Sequence, residues 1–238
     1  NKFKKIIILN SLNQIQKYIK NIDVTVSAIP GIAGLEPTLS FINLSKKILL
    51  ANKESIVCGW NLIKKKAIKY KTKLVPIDSE HFSITELIKQ HPEQQIKKIY
   101  ITASGGPFLR LNKNKFKYIK PKDAIKHPKW KMGKKISVDS ATLMNKVLEI
   151  TEALKLFSFS LDVYEIIIHP QSLVHAIVTF KNGTTYFLYH EPDMKIPISN
   201  ALFDSKINYS KYFQMKNTKK FTDQNLEFFP ADKNKFTT

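Results

Sequence analysis

Asp78 and Glu80 stand two residues apart, directly after the apolar run Leu74–Ile77. If the extended conformation continues through them, alternate side chains point to one face and the two carboxylates converge. Taken alone, a D-x-E pair is more plainly a solvated strand end. It gains meaning from Asn145, Lys146 and Glu149, whose spacing of three and four puts an amide, an ammonium and a carboxylate on one side of a helix. Such a face can hold an anion and a hard cation together. Three carboxylates with positions left for water and substrate oxygens suit Mg²⁺ or Mn²⁺.

Other residues with chemical potential follow strands or open helices. Ser104-Gly105-Gly106 comes after an apolar run and ends at Pro107. It reads as a tight turn, or as an anion cradle of backbone N–H groups and the Ser104 hydroxyl. Asp139 and Ser140 precede the helical stretch Ala141–Phe157 and are candidate N-caps. Capping competes there with phosphate binding, which a helix start also favours. His127-Pro128-Lys129-Trp130-Lys131-Met132-Gly133 combines an imidazole, an indole and a glycine hinge, the parts of a closing lid. His169 and His175 flank Pro170-Gln171-Ser172, and His169 reads as structural. Cys58, the single cysteine, lies in a helical stretch and reads as a buried structural thiol. It can form no internal disulfide, which fits a reducing compartment.

The elements that must position these groups change character along the chain. Val24–Ile29, Lys47–Ala51 and Lys73–Ile77 are short apolar strands, separated by helical patterns over Pro37–Leu44 and Ser55–Tyr70. That alternation predicts βαβ units and a parallel sheet, with ligands beyond the carboxyl ends of the strands. Further on, Ile99–Ala103 is a strand and Leu111–Lys135 is basic and irregular. Ala141–Phe157 is one strong helix, and Val163–His169, Val174–Phe180 and Thr184–Tyr189 are strands, the last two joined by the hairpin pair Asn182-Gly183. The second part therefore reads as α+β, with a soft boundary near residue 78. Beyond about Asp204 the chain is polar and yields no clear element.

With 43% hydrophobic residues over 238, the chain can bury substantial cores. No apolar run approaches the roughly 20 residues of a membrane helix, and no signal peptide opens the chain. Its first residue is Asn, which suggests a processed or partial chain. The net charge of +20 raises the question of a nucleic-acid partner. The lysines are scattered among Ile and Asn in every segment, as a codon bias would leave them, and no RNA-binding signature is present. Neither a nucleic acid nor a membrane is expected as partner.

Several strings occur together and in order: Ala51-Asn52-Lys53-Glu54-Ser55, Asp78-Ser79-Glu80-His81, Ser104-Gly105-Gly106-Pro107-Phe108, Lys135 through Thr142, Met144-Asn145-Lys146 with Glu149, and Ile168 through Ser172. From about Val24 to about Ala201 the chain resembles the 1-deoxy-D-xylulose 5-phosphate reductoisomerase family. The resemblance implies part of a Rossmann-like NADPH-binding domain over residues 1–77. An α+β catalytic domain binding metal and substrate would follow over 78–205, with a lid loop near 126–135. Residues 206–238 would lead toward a truncated C-terminal domain.

The reaction implied is metal-assisted rearrangement of a phosphorylated sugar, followed by reduction with NADPH, in non-mevalonate isoprenoid precursor synthesis. By the same resemblance Asp78, Glu80 and Glu149 are the metal ligands. Lys53, Ser79, Glu80, Ser104, His127, Trp130, Ser140, Asn145, Lys146 and Glu149 face the substrate, with Lys53, Glu80, His127 and Lys146 as catalytic residues. Trp130 covers the substrate, and Asn52, Glu54 and Gly133 touch the cofactor. The family is homodimeric and works in the bacterial cytoplasm or the plastid stroma. Its glycine-rich turn for the NADPH phosphates has no counterpart among the seven glycines here, so the chain is expected to start partway through the cofactor domain and, alone, to bind NADPH weakly. The rival readings are a metal-dependent phosphosugar isomerase or aldolase with no redox step, and a basic binding module on an enzyme fold.

Overall fold

The computed structural model describes residues 8, 11–89, 91, 95–130, 133–213, 225–232 and 235. The chain divides into two compact units, Asn1–Pro76 and Ile77–Thr238.

In the first unit, β1 (Ile22–Ser27), β2 (Ser45–Leu50) and β3 (Lys73–Pro76) form a sheet in that order, and both pairings are parallel. The parallel α/β arrangement expected from the alternating pattern is present. Central β2 buries Ile48, Leu49 and Leu50 in succession, as a strand covered on both faces must. The crossover helices are α1 (Leu35–Ile42) and α2 (Lys53–Tyr70). Helix α2 buries Ile56, Gly59, Ile63 and Ala67, a stripe of helical period. Gly59 lets α1 come close, since a Cβ there would collide with the Leu35 side chain. Asn52 starts α2 by accepting a hydrogen bond from Ser55 N at 2.5 Å, and Lys71 ends it in the left-handed conformation.

The second unit holds five strands in the order β7-β6-β4-β5-β8. They are β4 (Ile96–Ala103), β5 (Tyr164–Ile168), β6 (Val174–Phe180), β7 (Thr185–Tyr189) and β8 (Phe229–Pro230). The sheet is mixed: β4 and β5 run parallel, while β6, β7 and β8 pair antiparallel to their neighbours. The β6–β7 hairpin turns at Asn182-Gly183, with Gly183 at φ +89°. Helices α3 (Ser79–Ile88) and α5 (Met144–Phe157) pack on this sheet. Ile84 and Leu87 of α3, Ala153 and Phe157 of α5, and Ile99, Ile101, Ala176, Val178 and Phe180 of the sheet share one core. Part of the polar tail beyond Asp204 does find a place, because β8 extends the sheet along β5. Residues 214–224 lie outside the described set.

Two local expectations require correction. The chain does not stay extended through Asp78 and Glu80. Asp78 is the N-cap of α3, accepting a hydrogen bond from Glu80 N at 3.3 Å, and Glu80 lies in the first helical turn. An Asp before a run with buried Phe82, Ile84 and Leu87 is an N-cap signal that the D-x-E reading passed over. Nor is Ala141–Phe157 one helix. Helix α4 covers Lys134–Ala141, the backbone reverses at Leu143 with φ +62°, and α5 begins at Met144. Asp139 and Ser140 are therefore inside α4, not N-caps. No Gly or Pro marks the break; Leu143 is buried beside Ala103 and Ile168, and that packing offsets a left-handed residue costing on the order of 1–2 kcal/mol.

The turn after β4 is tightly constrained. Gly105 and Gly106 have φ of +79° and +66°, and a Cβ on Gly106 would lie 2.8 Å from the Ser140 carbonyl oxygen and 2.9 Å from Ala141 Cα. Gly106→Ala is expected to cost about 2 kcal/mol from strain and contact together. A urea midpoint unchanged from the parent protein would contradict this close approach.

Candidate metal and phosphate site

The site is built where the start of α3 meets one face of α5. Asp78 caps α3 and Glu80 sits in its first turn, while Asn145, Lys146 and Glu149 project from α5. One oxygen from each of Asp78, Glu80 and Glu149 lies within 4.8 Å of the other two. Convergence is thus achieved by a helix cap and a first-turn residue rather than by alternation along a strand.

Lys146 is buried among these carboxylates. Its Nζ donates to Glu149 Oε2 at 2.6 Å and also to Glu80 Oε1. Asn145 donates its amide to Glu149 Oε1, and Ser79 donates its hydroxyl to Glu80 Oε2. His81, wholly buried behind the cluster, places Nε2 2.9 Å from the Glu149 carbonyl oxygen. Its Nδ1 lies 3.4 Å from both Asp78 Oδ1 and Glu152 Oε2.

The electrostatics follow from this census. Burial alone would lower the His81 pKa, but Glu152, Asp78 and Glu149 outweigh it and raise the ring to about 9. Burial likewise disfavours the Lys146 ammonium, yet Glu149 and Glu80 hold its pKa above the ordinary lysine value. Burial and the Glu149 charge push Glu80 up to about 7 against the pull of Lys146. Were all four carboxylates ionised, they would outnumber the ammonium and imidazolium by two charges, an ionisation that the raised Glu80 pKa opposes unless a further cation is present. That excess, carried on hard oxygen donors, fits a divalent Mg²⁺ or Mn²⁺ ion.

A second part of the site lies at the turn after β4. His127 Nδ1 accepts hydrogen bonds from Trp130 N at 2.8 Å and Lys129 N at 3.2 Å. The ring proton of the neutral imidazole therefore sits on Nε2, which lies 2.9 Å from Ser104 Oγ and donates to it. Ser104 Oγ also accepts from Gly106 N at 3.2 Å. With its lone pairs so used, the Ser104 hydroxyl proton is available to an anion. Trp130 packs edge-on to His175 with ring centroids 5.8 Å apart, and His175 stacks on His190 at 3.9 Å. Ser140 presents its carbonyl to Gly106. Gly133 precedes α4, and its carbonyl accepts from Ser137 N and Oγ at 3.1 Å. Lys131 and Met132 of the expected lid lie outside the described residues.

Asn52, Lys53 and Glu54 belong to the first unit, at the start of α2. Asn52 is buried, and both its amide protons are spent on Ile29 O and on Gly31 O, the latter at 2.8 Å. Its side chain thus shapes the loop after β1 as well as capping the helix. Cys58, expected to be buried, is exposed: it lies off the stripe Ile56, Gly59, Ile63 that faces the sheet. His169 is structural as expected: its Nδ1–H donates to Glu227 O at 2.9 Å, Nε2 accepts from Leu173 N at 3.1 Å, and the ring stacks on Phe228.

Sequence reasoning gave no role to His81 or Glu152. Glu152 follows Glu149 by three residues and Asn145 by seven, so helical spacing alone could have placed it on the same face.

A parallel α/β unit of Rossmann type is followed in the chain by a mixed unit carrying a carboxylate–lysine cluster on two helices. Comparison with known proteins narrows the class. Residues 2–59 match the family model described as 1-deoxy-D-xylulose 5-phosphate reductoisomerase, and residues 74–157 match that for the C-terminal domain of the same enzyme. The chain is 51% identical over 227 residues to 1-deoxy-D-xylulose 5-phosphate reductoisomerase of Pelagibacter ubique, covering 95% of this chain and 58% of the relative. A Sulfurihydrogenibium reductoisomerase is 43% identical, with 91% and 56% covered. Among solved structures, DOX-P reductoisomerase in complex with NADPH, fosmidomycin and magnesium superimposes with a TM-score of 0.79 at 38% identity. The Zymomonas mobilis reductoisomerase in complex with NADPH gives 0.81 at 35%. Both superpositions cover 94% of this chain and 57% of the other. The chain belongs to the 1-deoxy-D-xylulose 5-phosphate reductoisomerase family, and it spans a little over half the length of these relatives.

Burial and the Lys146 charge hold the His127 pKa down to about 4. The folded ring is therefore neutral where an unfolded histidine, at about 6.5, would take up a proton. Stability from this group is complete above about 6.5 and is lost as pH falls toward 4. NMR of the imidazole nitrogens should show the Nε2–H tautomer at neutral pH and a midpoint near 4. A midpoint near 6.5 would contradict the part-buried Ser104 contact.

Proposed function

We propose that the protein carrying this chain is a 1-deoxy-D-xylulose 5-phosphate reductoisomerase, converting that phosphosugar to 2-C-methyl-D-erythritol 4-phosphate with NADPH in isoprenoid precursor synthesis. The observation that carries the proposal is the convergence of Asp78, Glu80 and Glu149 around buried Lys146. In this reading the three carboxylates hold Mg²⁺ or Mn²⁺. A metal ion so held supplies Lewis-acid polarisation of substrate oxygens, and NADPH supplies hydride.

The chain's own residues bind and orient. Ser104, its proton aimed outward by His127 and Gly106, donates to the substrate phosphate together with Ser140, Asn145 and Lys146. The Lys146 ammonium, flanked by Glu80 and Glu149, also offsets negative charge developing on substrate oxygens. Lys53 and Ser79 face the substrate, and Trp130, seated against His175, covers it and excludes water. We assign cofactor contacts to Asn52, Glu54 and Gly133, Asn52 acting through the Ile29–Gly31 loop that it holds. Residues 1–77 are read as the cofactor part, 78–205 as the catalytic part, and 206–238 as the connection onward. Homodimerisation and a bacterial cytoplasmic or plastid setting are proposed from the family. No helix among the described residues is long and apolar enough to cross a membrane.

The reductive reading is preferred to an isomerase or aldolase without redox chemistry because structural relatives are described in complex with NADPH. The full-length protein, given 1-deoxy-D-xylulose 5-phosphate and Mn²⁺, should oxidise NADPH stoichiometrically with product formed. Product without NADPH oxidation would establish the rival. Glu149→Gln removes one formal charge from the cluster and should weaken Mn²⁺ binding by about tenfold or more, on the scale of removing a group that supports a metal. Unchanged affinity in calorimetry would refute the ligand assignment.

A further inference from the structure

Glu152 is the one acidic residue of the buried cluster that the site described above leaves without a function. It is only 1% exposed, and a carboxylate at that depth costs several kcal/mol unless an opposite charge faces it. One group facing it is His81, whose Nδ1 lies 3.4 Å from Glu152 Oε2. The same Nδ1 lies 3.4 Å from Asp78 Oδ1, and the opposite ring nitrogen is 2.9 Å from the Glu149 carbonyl. One imidazole thus touches two of the three proposed metal ligands, one by its side chain and one by its backbone. Glu152 lies against the same ring nitrogen as Asp78.

We propose that Glu152 is a positioning residue, holding His81 in the orientation that keeps Asp78 and Glu149 at metal-binding separation. The geometry carries this. A ring clamped at one edge by a backbone carbonyl can still rock about that contact, and a second carboxylate beside Nδ1 limits the rocking. Asp78 alone cannot supply the restraint, because it is the group to be oriented. Glu152 comes from α5 and Asp78 from the start of α3. The Glu152–His81 pair therefore also sets the distance between the two helix segments that bring the ligands together. Supporting groups of this kind commonly change metal affinity by 10–100-fold. The inference rests on the metal reading of Asp78, Glu80 and Glu149.

The test uses this chain, with Mn²⁺ alone as probe and free Mn²⁺ followed by electron paramagnetic resonance. Glu152→Gln keeps the side chain's size and removes its charge; His81→Asn removes the ring. Each should weaken Mn²⁺ binding about tenfold while retaining a cooperative thermal transition. The double variant should be no weaker than either single one, since both act through the same ring. Glu152→Gln with parental affinity would overturn the proposal, as would a double variant in which the two losses multiply. Loss of the thermal transition in Glu152→Gln would also overturn it, because Glu152 would then hold the core rather than the ligands. Glu149→Gln separates the two levels of inference. If the parent chain binds no Mn²⁺, the metal reading itself fails. If the parent binds, Glu149→Gln does not, and Glu152→Gln does, only the role of Glu152 fails.

Discussion

Burying Lys146 among carboxylates is the constraint around which the second unit is organised. An ammonium and several carboxylates withdrawn from water are each costly, and they are tolerated only when geometry pairs them closely. Here Glu80 arrives from α3, and Asn145, Lys146 and Glu149 from α5, so both helices must hold a fixed approach for the pairing to exist. The apolar core below supplies that approach, with Ile84 and Leu87 of α3 and Ala153 and Phe157 of α5 packed on the same strands. The polar site and the hydrophobic core are therefore two ends of the same pair of helices.

The charge balance of the cluster supports the proposal that it is a metal site rather than a structural ion-pair network. A network built for stability would approach neutrality. Here burial first, and then the Glu149 charge, push the Glu80 carboxyl up to about 7. A group so perturbed by burial and like charge is characteristic of functional sites. The turn after β4 complements it with a different character: glycines with positive φ, and a serine whose hydroxyl oxygen faces His127 Nε2 and Gly106 N, leaving its proton to be donated. Cation-seeking and anion-seeking surfaces in one unit suit a ligand that carries both a phosphate and metal-binding oxygens.

Much of this was legible in the residues themselves. Alternating apolar strands and helices predicted the parallel sheet of the first unit, because strand runs and helical stripes of that length have few other ways to bury their faces. Asn182-Gly183 predicted its hairpin, since few residue pairs accept the required backbone conformation. The shared face of Asn145, Lys146 and Glu149 follows from helical spacing alone. The ordered strings from Ala51 to Ser172 pointed to the family that the comparisons support.

What tertiary structure alone decided is where local rules yield to packing. Asp78 carried a local N-cap signal, but the burial of Phe82, Ile84 and Leu87 is what commits the chain there to α3 rather than to a longer β3. No local signal interrupts Ala141–Phe157, yet burial of Leu143 breaks it and brings Ser140 against Gly106. His81 and Glu152 are separated by seventy-one positions, and their meeting 3.4 Å apart depends on how α3 and α5 pack. Sequence therefore determined which chemical groups this protein possesses and which short-range faces they share. Their distances, and hence their charge states, were decided by the fold, because electrostatic interaction in a buried site depends on separation and solvent exclusion that no local spacing encodes.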